Sequence, residues 1–541
     1  MIFYLSLSAF YFLCIIQTSV CGICTICSCS GLINKELVIN CHGKQLGSND
    51  VLNFHLLTLN QYEALNKLIL SNNNIINLPK NLLNKLKPLK SLDLSENVIE
   101  TIYTTIFIDL NNLEDLNLSK NVLKTFDDSL LEVLPTLVTL NLSYNRIDSV
   151  EHRMNKTATQ IITLDLSHNN ISTLSKGFSE SLSKLQYLNL SFNKILSLEN
   201  CYLTYLSSLR EIYLNNNLIV ALNMQMLPKS LSKLHFGYNQ ISEIPYDLSH
   251  IEVLNIEYNK ISEIHDNLTS ANLQRLNVSG NMLSTFPNIS FESLQILDIS
   301  DNDLTRIPEA ICIKNFPLII QLNVSKNPIQ NLVFHSELKL KSFVASYMSM
   351  LETIDKDTLA NLKAPLKDCI NLTISNNNML SFIHEDALEH MNLCSLDLSN
   401  NQLSYVAQNL TAHGDISTTH NINLQGNPFK CNCSLQWMLD DLMPKLYSSQ
   451  PNFLNNLRCA WPPQILNMRM VHWYGWKNQI FCIDTSNLKE NFAMEVVTLD
   501  SSPGLLIAVG VAMTGLVILV VIGIIWTQRI SMRRRRVNRK F

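Results

Sequence analysis

The chain has 541 residues, 46% hydrophobic and 16% charged, with only 14 glycines. That balance excludes extended disorder and collagen-like sequence. A net charge of −4 argues against a globally basic nucleic-acid binder, yet residues 528–541 hold seven basic residues and no acid. A chain polarised in this way belongs to two compartments.

The first predicted element is a signal peptide over residues 1–22. Residues 2–16 are almost wholly apolar, too short a run to span a bilayer. Val20-Cys21-Gly22 then supplies small or neutral residues before a cleavage point. Cleavage there removes Cys21 and leaves an even cluster of Cys24, Cys27, Cys29 and Cys41 within a predicted N-terminal cap, residues 23–50.

Residues 51–427 repeat one unit. Residues 89–97 read LKSLDLSEN, and the LxxLxLxxN frame ends at Asn73, Asn97, Asn121, Asn145, Asn169, Asn193 and Asn217, all 24 apart. It continues at shorter or uneven spacing to Asn239, Asn259, Asn281, Asn302 and Asn327, a degenerate copy with Met348, then Asn377, Asn401 and Asn427. Sixteen units result. LxL is a short strand whose leucines face inward while the residues between them face out. The Asn amide is placed to pair backbone groups of adjacent coils that would otherwise be buried alone. No unit buries its apolar face by itself, so the coils must stack. The fold expected is an α/β solenoid, a horseshoe with a parallel concave β-sheet.

Four cysteines remain outside the two terminal clusters. Cys369 takes a leucine position of its frame, which predicts a small buried apolar role; a Cys369–Cys394 bridge is the alternative, ranked second because alternation points the two side chains to opposite faces, and Cys201 and Cys312 have no assigned pairing. The 29-residue interval from Met348 to Asn377 predicts a loop around residues 355–368. After the last unit, residues 428–483 carry Cys431, Cys433, Cys459 and Cys482, the first two in the segment NPFKCNCSLQW. A juxtamembrane stalk follows at residues 484–503. Residues 504–526 contain no charge, and 23 residues of helix reach roughly 34 Å, enough to cross a bilayer. The basic residues 527–541 then set a cytoplasmic tail by the positive-inside bias and touch anionic lipid. The expected localisation is the plasma membrane, single-pass type I, with the N-terminus extracellular.

The repeats and the two cysteine clusters resemble the extracellular leucine-rich-repeat family, and the arrangement looks like Toll-like receptor ectodomains and the insect adhesion proteins Capricious, Tartan, connectin and chaoptin. The NPFxCxC…W segment resembles the family's C-terminal cap. Spacing alone leaves three connectivities per cluster, and a secretory context favours disulfides over zinc. The resemblance implies Cys24–Cys29, Cys27–Cys41, Cys431–Cys459 and Cys433–Cys482. It also implies a cell-surface recognition or adhesion protein. The alternative is an innate-immune accessory or decoy receptor for microbial ligands; the short tail has no room for a folded signalling domain.

No catalytic constellation, metal site or cofactor motif appears: there is no HExxH, GxSxG, P-loop or GxGxxG. The expected partner is an extracellular or cell-surface protein, this chain itself included, with the bilayer as a second contact and nucleic acid excluded. Sequons predict glycans at Asn117, Asn141, Asn155, Asn170, Asn189, Asn267, Asn277, Asn288, Asn323, Asn371 and Asn409, while Asn432 lies crowded between two cap cysteines. Asn117, Asn141, Asn189, Asn277 and Asn323 occupy the outward place of LxL, and residues 209–261 have no such sequon. The predicted ligand-binding residues therefore lie there: Tyr213, Asn215, His235, Tyr238, Asn255, Glu257 and Tyr258. Polar-tipped aromatics suit interface hot spots.

Overall fold

A computed structural model describes residues 22–31, 36–47, 65–78, 83–152, 159–411, 421–473 and 480–482. The signal segment before Gly22, Asn155, the stalk, residues 504–526 and the basic tail lie outside them. Among the described residues no helix is long and apolar enough to cross a membrane.

Every unit contributes one short strand to a single sheet. The sheet has 18 strands, the first two of which, Ser28–Ser30 and Leu37–Asn40, form an antiparallel hairpin. Leu37–Asn40 runs parallel to Leu65–Ile69, and the LxL strands then follow in parallel, unit beside unit. Pairing is in phase: Leu116 lies opposite Leu140, and Leu188 opposite Ile212. Inward leucines thus stack into one continuous core, where Leu116, Leu140, Leu164 and Leu188 are each about fully buried.

The asparagines close the coils. Asn193 Nδ2 donates to Leu190 O of its own turn at 3.0 Å and to Leu166 O of the preceding coil at 3.0 Å. Its Oδ1 accepts from Ile171 N at 2.9 Å. The same three-way bond recurs along the array, for instance at Asn121, Asn145 and Asn281. At Met348 no amide is available, and Ser346 instead bonds Ser325 Oγ and Ser375 Oγ, each at 3.0 Å. The residue before the repeat Asn is left-handed in unit after unit, from Glu96 (φ 55°) to Asn400 (φ 55°), and these residues form a ridge along one edge of the sheet.

The expected α/β class is corrected to a β-solenoid. Among the described residues of the repeats the α-helices are Leu130–Val133 and Lys176–Ser181; the rest of the described outer face is turns, 3-10 pieces and minor strands. A unit this short spends half its residues on strand, ridge and turns. The remainder is too short to offset helix nucleation.

Among the described residues five disulfides are present: Cys24–Cys29, Cys27–Cys41, Cys369–Cys394, Cys431–Cys459 and Cys433–Cys482. The bridge at Cys369 replaces its expected role as a buried apolar residue. Ile370 takes the core place opposite Leu393, and the register then slips so that Asn371 faces Ser395. The bulge turns Cys394 out of the strand alternation to meet Cys369. The extra length expected over residues 355–368 is also narrower. Leu362–Lys363 pairs normally with Leu338–Lys339, so only residues 364–368 leave the array.

Two outcomes follow. Asn193→Leu strands buried carbonyls and an N–H, and should lower unfolding free energy by about 2 kcal/mol or more in urea titration; an unchanged midpoint would contradict the ladder. Burial pushes the Cys201 thiol up to about 12, so it should resist alkylation in the native chain and react only on unfolding; rapid native labelling would refute that environment.

Candidate recognition surface on the concave sheet

Most units close the strand end with a side chain. Asp93, Asn117, Asn141, Asp165, Asn189, Asn277, Asp298, Asn323 and Asp397 each accept from the backbone N–H two residues on, at 2.9–3.1 Å, and that second residue is a serine. This Asx turn pre-forms the bend into the ridge. The Asn-Leu-Ser sequons of the concave face are therefore also turn chemistry.

Three consecutive units abandon the pair. They carry Tyr213 with Asn215, His235 with Gly237, and Asn255 with Glu257. Asn215 Oδ1 accepts instead from Gly237 N in the next coil at 2.8 Å, so this residue is committed to the scaffold. The outward side chains of the strands Glu211–Tyr213, Lys233–His235 and Val253–Asn255 are released from the turn and meet one another. Tyr213 stacks on His235 at 4.1 Å with an interplanar angle of 2°. The Tyr213 hydroxyl donates to Glu211 Oε1 at 2.7 Å, and Lys233 Nζ lies 3.6 Å from Glu211 Oε2. The Asn255 amide donates to His235 Nδ1 at 2.8 Å, which leaves the ring proton on Nε2. That Nε2 lies 3.3 Å from Glu211 Oε1 but without hydrogen-bond geometry, a buried donor left over.

Burial would raise the Glu211 carboxyl, but the Tyr213 hydroxyl, Lys233 and His235 together hold it below the usual range. Burial, then Glu211, pushes the Tyr213 hydroxyl up. Burial lowers His235 despite Glu211. Glu257 is raised by burial and by Asp298. It packs over Gly237, where any Cβ would collide with its carboxylate, so the glycine is there for close approach. Asn277 Nδ2 donates to Glu257 Oε2 at 3.4 Å.

The ridge beside this sector is aromatic. Tyr144, His168 and Phe192 stack at 3.8 and 4.0 Å, and Tyr238 stacks on Tyr258 at 4.6 Å. Tyr258 crosses Gly280 to donate to Asp301 Oδ2 at 3.2 Å. Tyr144, Phe192, Tyr238 and Tyr258 remain 38–49% exposed. An aromatic residue held in the left-handed region carries a backbone penalty, here offset in part by ring stacking.

Of the predicted residues, the structure brings Tyr213, His235 and Asn255 together on the sheet, sets Glu257 at the strand end, and puts Tyr238 and Tyr258 on the ridge. Sequence reasoning missed Tyr187, Glu211 and Lys233. Tyr187 lies 5.3 Å from Tyr213. The period-two rule already contained them, because residues 211 and 213 flank the same inward Ile212.

A stack of in-phase Leu/Asn coils with side chains released onto one concave face is a repeat scaffold for macromolecular contact. Leucine-rich repeat models match residues 63–123, 104–147 and 135–195, and again 272–294 and 293–313. Rabbit (Oryctolagus cuniculus) fibromodulin is 30% identical over 110 residues, 19% of this chain and 74% of that protein. The chain belongs to the leucine-rich repeat family. Drosophila melanogaster chaoptin is 31% identical over 192 residues, which is 34% of this chain but only 13% of chaoptin. Among solved structures, a leucine-rich repeat protein of Leptospira interrogans superposes with a TM-score of 0.54 at 24% identity, covering 70% of this chain and 94% of that one. Leucine-rich repeat proteins generally mediate protein–protein interaction or adhesion, and their solenoid is typical of non-enzymatic interaction proteins.

A pH effect follows from His235. Its lowered value means the folded chain binds fewer protons there than the unfolded chain. The stability it supplies is complete above about pH 6.5 and is lost as pH falls through the depressed value. His235→Gln should flatten the fall in melting temperature between about pH 7 and about pH 5; the wild-type slope in the variant would contradict this.

Proposed function

We propose that the chain is a cell-surface recognition and adhesion protein that holds an extracellular protein ligand against units 209–261. One observation carries the reading: three successive units give up the strand-end turn that their neighbours use, and fill the vacated places with Tyr213, His235, Asn255 and Glu257. Side chains that serve the scaffold nowhere else in the array are free to serve a partner. The flat Tyr213–His235 stack and the exposed ridge rings Tyr238 and Tyr258 supply rigid, amphipathic contact area of the hot-spot kind. Glu211, Lys233 and Glu257 provide charge to select the partner.

In this reading residues 1–22 direct export and residues 504–526 tether the array, with residues 527–541 at the cytoplasmic face. Glycans at Asn117, Asn141, Asn189, Asn277 and Asn323 flank the sector on both sides and restrict access to it. The support is the uncharged apolar run, the basic residues after it, and the five disulfides, which belong to an oxidising compartment.

The test is capture of surface proteins by cells displaying the full chain, this chain included in the library. Tyr213→Ala, His235→Ala and Tyr258→Ala should each weaken capture of the identified protein by about tenfold or more, the scale of a hot spot. Unchanged capture by all three would remove the proposed surface.

A further inference from the structure

The five residues 364–368 make a knob. Leu366 at its tip is 90% exposed, the highest value among the described large apolar side chains left on the surface. The loop beneath it is held on every side. Cys369 is bridged to Cys394, Lys341 Nζ meets Asp368 Oδ2 at 2.6 Å, Asn392 Nδ2 donates to Asp368 O at 2.8 Å, and Asp368 N donates to Pro365 O at 3.0 Å. A leucine displayed on a loop already ordered loses little entropy on docking. Exposed Lys367 follows it, while Lys363 on its other side is ion-paired with Glu337 at 3.2 Å.

The same molecule carries a matching socket. Where the units shorten from 24 to 22 and then 20 residues, the outer face steps down. A groove of about 600 Å³ opens there, with apolar walls that include Val220, Leu222, Met224, Ile244 and Tyr246. Glu243 and Asp247 also line it, together with Lys229 and His250. Val220 is 55% and Tyr246 52% exposed, an apolar patch of the kind that marks contact sites. The Ser249 hydroxyl and N–H hold the Asp247 carboxyl below its usual range, so it stays ionised.

The knob cannot reach its own groove. Six strand steps separate Lys233 from Asn371, roughly 29 Å at sheet spacing. We propose that a second copy of this chain docks head to tail on the first, Leu366 of one copy entering the groove beside Val220 of the other, with Lys367 facing Glu243 and Asp247. The contact is heterologous and does not use the concave sector.

Full-length copies with two different tags are co-expressed, extracted in detergent and captured through one tag. Wild-type copies should capture each other. Leu366→Asp paired with itself, and Val220→Asp paired with itself, should each lose capture by about tenfold or more; both sites are solvent-exposed, so folding is spared. Leu366→Asp paired with Val220→Asp should retain capture within about twofold of wild type, because one intact knob still meets one intact socket. Failure of wild-type copies to associate, undiminished capture of Leu366→Asp by itself, or loss in the mixed pair would each overturn the proposal.

Discussion

The array depends on one interaction, the buried asparagine amide that bridges a coil to the one before it in every unit except that of Met348. A coil of this size cannot satisfy its own backbone where the chain leaves the strand, and unpaired groups there would each cost about 1–3 kcal/mol. A side chain with two donors and one acceptor at that place settles the next coil at a fixed distance and in a fixed phase. The stacking of leucines follows from that phase, since a slip of one residue would turn the whole apolar set to solvent.

A scaffold enforced by so few positions leaves the others open, but not equally. The residue before the asparagine must be left-handed, and the outward strand residue is drawn into the Asx turn. Both are near the concave surface, so they carry scaffold demands and binding potential at once. Tyr144, His168 and Phe192 meet the first demand and stack as they do so. Tyr213, His235 and Asn255 decline the second, and their side chains pair among themselves. The departure from repeat chemistry, rather than aromatic content alone, sets units 209–261 apart from the coils on either side of them.

Much of this was legible in the amino-acid order. The spacing of Asn73 to Asn427 predicts sixteen coils, and sixteen parallel strands from Leu65–Ile69 to Ile422–Asn423 are present. The outward residues at 213, 235 and 255 were found by alternation. The Cys369–Cys394 bridge ranked only second to a buried apolar Cys369, because a one-residue bulge at Cys394 reverses the facing that alternation assigns. The α/β class was expected in place of a β-solenoid because the repeat frame LxxLxLxxN fixes the strand and the asparagine but not the conformation of the residues that follow them. The gap in the sequons was visible but its cause was not: Asn-Leu-Ser disappears from residues 209–261 together with the turn it builds.

The central claim is that units 209–261 exchange scaffold bonds for recognition. Its most direct test restores the turn pair at all three places, writing Asp-Leu-Ser over residues 213–215, Asp-Phe-Ser over 235–237 and Asp-Ile-Ser over 255–257, as the neighbouring coils do without adding sequons. The account predicts that the melting temperature is kept or raised while capture of the surface ligand is lost. Retained capture, or a melting temperature that falls, would contradict it.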